Sequence, residues 1–142
     1  PCPKDCIEFE LLESIVLNQV ELVSRVVKQL REFGFSCALD DFGSGYSSFS
    51  VLTNADLNTL KIDRSLFQNE SDTRERILVR HIVETAKELE MKVIAEGVET
   101  RGYVDILKEL GCDYIQGFVF YKPMPAEEFE QRFIIGNEKA EI

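Results

Sequence analysis

The sequence predicts an α/β fold built on a parallel β-sheet, and three observations predict it. Short apolar runs alternate with amphipathic helical patterns along the 142 residues. The helical patterns are long enough to act as crossovers between parallel strands. Each of five apolar runs carries a charged or amide residue at or near its C-terminal end, the side on which parallel α/β sheets place their ligands. With 44% hydrophobic residues, the chain suffices for one domain with a sizeable core.

The elements follow in order. Residues 6–12 (CIEFELL) read as a strand, and Val20, Val23, Val26, Val27, Leu30 and Phe33 then recur at three- and four-residue steps, a helix that Gly34 terminates. A second strand, residues 36–41 (SCALDD), leads into a glycine turn and a short helix from about Ser47, with Ser47 or Ser48 as its cap. Residues 59–63 (TLKID) form the third strand, followed by a longer helix carrying Ile77, Leu78, Ile82, Val83, Ala86 and Leu89. Residues 92–97 (KVIAEG) form the fourth strand, and Val104, Ile106, Leu107 and Leu110 mark a helix closed by Gly111. A fifth strand at 114–120 (YIQGFVF) precedes the Pro123/Pro125 break and a last helix at about 126–133, with a frayed tail over 136–142.

The formal charge of −10 excludes a duplex nucleic-acid binder, which needs a basic surface to displace counterions. No stretch approaches the roughly 20 apolar residues of a membrane span, and no signal-peptide pattern opens the chain. Cys2, Cys6, Cys37 and Cys112 lack the spacing of a zinc site or a disulfide framework. They read as reduced thiols of a cytoplasmic protein, with Cys6, Cys37 and Cys112 as small buried strand residues.

The strand-end groups are Glu10, then Asp40 and Asp41, then Lys61 and Asp63, then Glu96 and Glu99, then Gln116. Carboxylates gathered in a partly dry pocket must be protonated, paired or metal-bound, and one lysine cannot neutralise them all. Oxygen donors without histidine or cysteine favour Mg²⁺ or Mn²⁺, with Ca²⁺ as a competitor, over zinc or copper. Glu8 and Glu13 read instead as solvated charges or helix caps, Asp63 and Arg64 as a mutual pair or cap, and His81 as a surface residue of a helix. The run GSGYSS is one glycine short of a dinucleotide fingerprint, and the aspartates before it would repel a bare pyrophosphate.

The segments IEFELLES, LDDFGSGYSS, LKIDRSLF, VIAEGVET and YIQGFVFYKPMP, in this order, resemble the EAL domain, the bacterial phosphodiesterase domain that cleaves cyclic di-GMP. The resemblance implies a TIM-type (β/α) barrel, here a partial barrel of about five βα units, with residues 1–135 as the C-terminal part of the domain. It implies hydrolysis of cyclic di-GMP to linear pGpG with two divalent cations, Mg²⁺ or Mn²⁺, and a homo-oligomer. Residue by residue, it implies Glu10, Asp40, Asp41 and Glu96 as metal ligands, and Lys61, Glu96 and Gln116 as residues acting on the water and the phosphate. Glu99 would steady the glycine loop, of which Phe42, Gly43, Ser44 and Gly45 form the first part.

Two departures from the family pattern stand out. Leu12 replaces the threonine of the E-x-T-E segment, and the Glu-Ala-Leu segment and an asparagine expected upstream are absent. A full barrel needs about 250 residues, so the chain reads as a fragment, inactive alone. The alternative implied by the same resemblance is a non-catalytic cyclic di-GMP receptor or partner-binding domain.

Overall fold

The computed structural model describes residues 2–45 and 49–136. Five strands, β1 (Glu8–Leu12), β2 (Ser36–Phe42), β3 (Thr59–Ile62), β4 (Lys92–Ala95) and β5 (Tyr114–Ile115), form one sheet in the order β1-β2-β3-β4-β5, all parallel. Between them lie α1 (Glu13–Asn18), α2 (Val20–Glu32), α3 (Ser50–Asn54), α4 (Thr73–Glu88) and α5 (Arg101–Glu109). After β5 comes α6 (Ala126–Phe129), continued as a π-helical turn over Glu130–Ile135.

Sequential strand order has a geometric consequence. Each parallel crossover is right-handed, so every connecting helix lands on the same side of the sheet. The registers Leu39–Leu60–Val93 and Ile62–Ala95–Ile115 define that side. There Cys37, Leu39, Leu60, Ile62, Val93 and Ala95 pack with Val23 and Val27 of α2, Val51 and Leu52 of α3, Val79, Ile82, Val83 and Ala86 of α4, and Val104 and Leu107 of α5. Burying each such side chain contributes about 1.5–3 kcal/mol. The opposite side is polar: Glu8, Glu10, Asp40, Thr59, Lys61 and Lys92 alternate with the core residues.

The helix ends follow their sequence signals. Asp72 caps α4 by accepting from Arg74 N at 2.7 Å, Thr100 caps α5 by accepting from Tyr103 N, and Gly34 and Gly111 end α2 and α5 at positive φ. His81 is exposed and paired with Glu84. Asp63 caps a 3₁₀ turn over Arg64–Leu66, while Arg64 pairs with Glu99 and not with Asp63.

Two expectations are corrected. The fifth strand covers only Tyr114–Ile115, because from Gln116 the chain turns around Val98: Val98 N donates to Gln116 O and Val119 N to Val98 O. Gly117 passes so close to the Val98 backbone that a Cβ would overlap it. The apolar residues Phe118, Val119 and Phe120 therefore belong to a turn and not to the ladder. The helix expected from Val20 stands as α2; the structure adds α1 before it, and Gln19, with a φ of −141°, separates the two. Of the cysteines, only Cys37 is a buried strand residue; Cys6 is exposed in a 3₁₀ turn, and Cys112 sits in the turn before β5, where burial pushes its thiol up to about 12. The short helix before β3 covers Ser50–Asn54; the expected caps Ser47 and Ser48 lie outside the described residues, as does the tail beyond Gly136. No helix of the described residues is long and apolar enough to cross a membrane.

Candidate metal centre

The centre forms where β2 departs from regular pairing. Leu39 pairs with Leu60 and Phe42 with Ile62, so both Asp40 and Asp41 face the single residue Lys61. This is a β-bulge, one extra residue in one strand. Without it, strict alternation would turn Asp41 into the helix-side core and Phe42 out of it. With it, Phe42 is buried and packs edge-on against Phe49, with ring centroids 6.0 Å apart, while both aspartates stay out of the apolar layer. Asp41 accommodates the bulge with a φ of 59°, a left-handed conformation that costs a non-glycine residue roughly 1–2 kcal/mol.

Oxygens of Asp40, Asp41 and Glu96 lie within 4.8 Å of one another. Lys61, only 6% exposed, reaches Glu10 at 2.6 Å, Asp40 at 2.8 Å and Glu96 at 2.9 Å. Its stem lies on the central strand, between the Asp pair of β2 and the end of β4, which is why one ammonium meets acids from three strands. Three carboxylates thus contact one ammonium, and Asp41 stands beside two of them. At such separations a like-charge pair repels by roughly 3 kcal/mol at an effective dielectric of about 20.

The protonation equilibria carry the strain. Burial, followed by the charge of Asp40, raises the Asp41 carboxyl above the ordinary range. Burial also raises Glu96, outweighing the opposing pull of Lys61. Burial works against the charged form of Lys61, but its hydrogen bonds to Asp40, Glu10 and Glu96 win and hold the ammonium more firmly than usual. Two carboxyls that resist ionising beside a fixed ammonium mark a site short of positive charge. The donor set is all oxygen, which suits a hard divalent cation.

The predicted residues divide into groups. Glu10, Asp40, Asp41, Lys61 and Glu96 come together. Glu99 and Gln116 line a separate cleft of about 1300 Å³ with Arg64, Phe118, Tyr121 and Phe133. Glu99 pairs with Arg64 at 3.1 Å. The glycine loop is held by Glu13, only 4% exposed, whose Oε2 accepts from Gly43 N at 3.4 Å. Reading Glu13 as a solvated charge is therefore corrected; its place as the second acid of the E-x-T-E pattern was the available signal. Glu8 also has a specific partner, accepting from the Thr59 hydroxyl at 2.7 Å across two strands. Among Phe42, Gly43, Ser44 and Gly45, the first is a core residue, and a Cβ on Gly45 would meet open space.

The EAL domain family model matches residues 1–123. The cyclic di-GMP phosphodiesterase PdeR of Escherichia coli is 40% identical over 131 residues, 92% of this chain and 19% of that protein. The crystal structure of the EAL domain of Mycobacterium smegmatis DcpA superimposes with a TM-score of 0.83 at 34% identity, over 91% of this chain and 58% of that one. A manganese/cyclic di-GMP complex of Klebsiella pneumoniae BlrP1 superimposes with a TM-score of 0.80 at 32% identity, over 86% of this chain and 31% of that one. The chain thus spans less than a fifth of PdeR and little more than half of the DcpA chain. EAL domains have a TIM-barrel fold, and the sequential five-stranded sheet with helices on one side is an arc of such a barrel. An acidic centre on the strand ends, a matching family model and solved relatives of the same fold lead to one conclusion: this chain belongs to the EAL domain family.

Proposed function

We propose that residues 1–135 are the C-terminal part of an EAL domain that, when complete, hydrolyses cyclic di-GMP to linear pGpG in the cytoplasm. The observation that carries this reading is the convergence of Asp40, Asp41 and Glu96 within 4.8 Å beside Lys61. Glu10, Asp40, Asp41 and Glu96 are the groups that would hold two Mg²⁺ or Mn²⁺ ions, and the all-carboxylate donor set with its excess of negative charge fits them. Bound there, the cations supply positive charge to the phosphate and a more acidic water.

The chain's own residues do the rest. Lys61 Nζ has three donors, which here meet Glu10, Asp40 and Glu96; with those carboxylates engaged by cations, a donor would be released to a phosphate oxygen. Glu96, at the end of β4 and 2.9 Å from Lys61, stands where a carboxylate could accept a proton from the attacking water. The cleft lined by Gln116 and its aromatic wall, which begins at Gly97 next to Glu96 in sequence, provides room for a base of the dinucleotide.

The test uses the complete domain with these residues in place, cyclic di-GMP and Mn²⁺, and chromatography for pGpG. Asp40→Asn should abolish product and metal binding with the fold retained. Lys61→Ala in the complete domain should keep metal and slow hydrolysis by 10²-fold or more, on the order of one lost electrostatic donor. Ligand binding without any pGpG would identify a receptor instead, and wild-type turnover in Asp40→Asn would remove the metal assignment.

A further inference from the structure

We propose that Ser65 is a positioning residue that fixes the left-handed backbone of Asp41 through the carbonyl of Gly43. The inference rests on the reading of Asp41 as a metal ligand. Asp41 is a non-glycine residue at a φ of 59°, and such a conformation persists only where its surroundings hold it. The turn that follows closes through Ser44 N donating to Asp41 O at 3.1 Å. That turn is gripped from two sides.

From the β1 side, buried Glu13 accepts from Gly43 N. From the β3 side three contacts arrive in succession. Asp63 N donates to Phe42 O at 3.0 Å, the Ser65 hydroxyl donates to Gly43 O at 3.0 Å, and the Leu66 side chain fills the space that a Cβ on Gly43 would occupy. Ser65 is itself oriented, its backbone N donating to Asp63 Oδ1 at 2.9 Å. The same strand that delivers Lys61 to the acids therefore delivers, four residues later, the hydroxyl that fixes the turn behind them. Removing that hydroxyl takes away the donor that reaches Gly43 O from the β3 side and loosens the turn that Asp41 opens. Asp41, two residues earlier in the same turn, then relaxes out of its strained conformation and away from Asp40 and Glu96. Groups that orient a metal ligand in this way typically govern about 10–100-fold in metal affinity.

The experiment uses this chain and two measurements. Mn²⁺ binding is followed by electron paramagnetic resonance, and backbone amide shifts are followed by NMR in the metal-free protein. Ser65→Ala should weaken Mn²⁺ binding about tenfold and shift the Asp41, Gly43 and Ser44 amides, while Ser65→Thr restores both and Ser71→Ala changes neither. Ser65→Val, an isostere of the threonine variant without its hydroxyl, should behave as Ser65→Ala and carries the same comparison should the alanine variant fold poorly. Unchanged amides, a threonine variant no better than valine, or shifted amides with unchanged Mn²⁺ affinity would each overturn the proposal. A wild-type chain that binds no Mn²⁺ would remove the metal reading, and the amide response would still decide whether Ser65 holds Asp41.

Discussion

Lys61 does two jobs that pull in opposite directions: it sits almost fully buried, which disfavours its charge, and it is the ammonium through which Glu10, Asp40 and Glu96 tolerate one another. Removing one partner of a buried pair is costly because the others remain. Lys61→Met in this chain should cost about 2–3 kcal/mol by urea unfolding, below the full buried-pair loss because Glu10 is half exposed. Added Mn²⁺ should recover part of it; a variant as stable as wild type in chelator would contradict the role. The carboxyls also set a pH dependence. Asp41 and Glu96 hold protons above the unfolded carboxylate range, so between that range and their raised values the folded chain binds more protons than the unfolded one. Their contribution is full below about pH 4 and is lost as pH rises through the raised values. Asp113 acts the other way, with a lowered carboxyl whose contribution is lost only as pH falls through its folded value. In chelator the urea midpoint should therefore rise as the pH is lowered from neutrality towards the unfolded carboxylate range, and saturating Mn²⁺ should shift the optimum upward. A midpoint that falls over that interval in chelator would show that these carboxyls are not raised.

At the scale of elements, the ladder between β4 and β5 is short because the chain turns at Gln116 to wrap Val98. That turn depends on Gly117, where a Cβ would overlap the Val98 backbone, and the Val98 carbonyl has no room to withdraw because Val119 N donates to it at 3.1 Å. Gly117→Ala should therefore destabilise by about 3 kcal/mol or more, in the class of steric changes that cannot relax through a flexible side chain. Gly45→Ala, with open space around the added methyl, should stay within about 0.5 kcal/mol. Equal midpoints for the two variants would show that the wrap around Val98 is not held as described.

For the molecule as a whole, the arc leaves two sheet edges. β1 is largely exposed, with Phe9 and Leu12 in contact with solvent, and β5 has a single strand neighbour. Unpaired parallel edges recruit other chains. Phe118, Phe129, Ile134 and Ile135 add exposed apolar surface at the far end. Light scattering across a concentration series should show a dimer or larger species, and a single-chain mass throughout would count against association. The same chain mixed with cyclic di-GMP and Mn²⁺ should yield no pGpG, because the sequence contains no Glu-Ala-Leu segment to complete the set of groups that turnover requires. Steady turnover above a metal blank would show that the arc alone suffices.

The order of strands and helices, their glycine and aspartate ends, and the identity of the acids were legible in the sequence, because period-two and period-3.6 patterns and cap chemistry are local. The placement of Glu10, Asp40, Lys61 and Glu96 at one end followed from the same patterns, since consecutive parallel strands present their C-terminal ends together. What only the tertiary structure decided were events where two strands meet. The bulge that brings Asp41 beside Asp40 comes from the slip between β2 and β3, hinted at only by the step from Leu39 to Phe42. Glu13 meets a Gly43 amide 30 residues away, a partner that its place in the E-x-T-E pattern does not name. The Phe118–Phe120 run left the ladder because the backbone of Val98 took its place. Such outcomes depend on close approach between distant segments, and no local pattern encodes which segment will arrive.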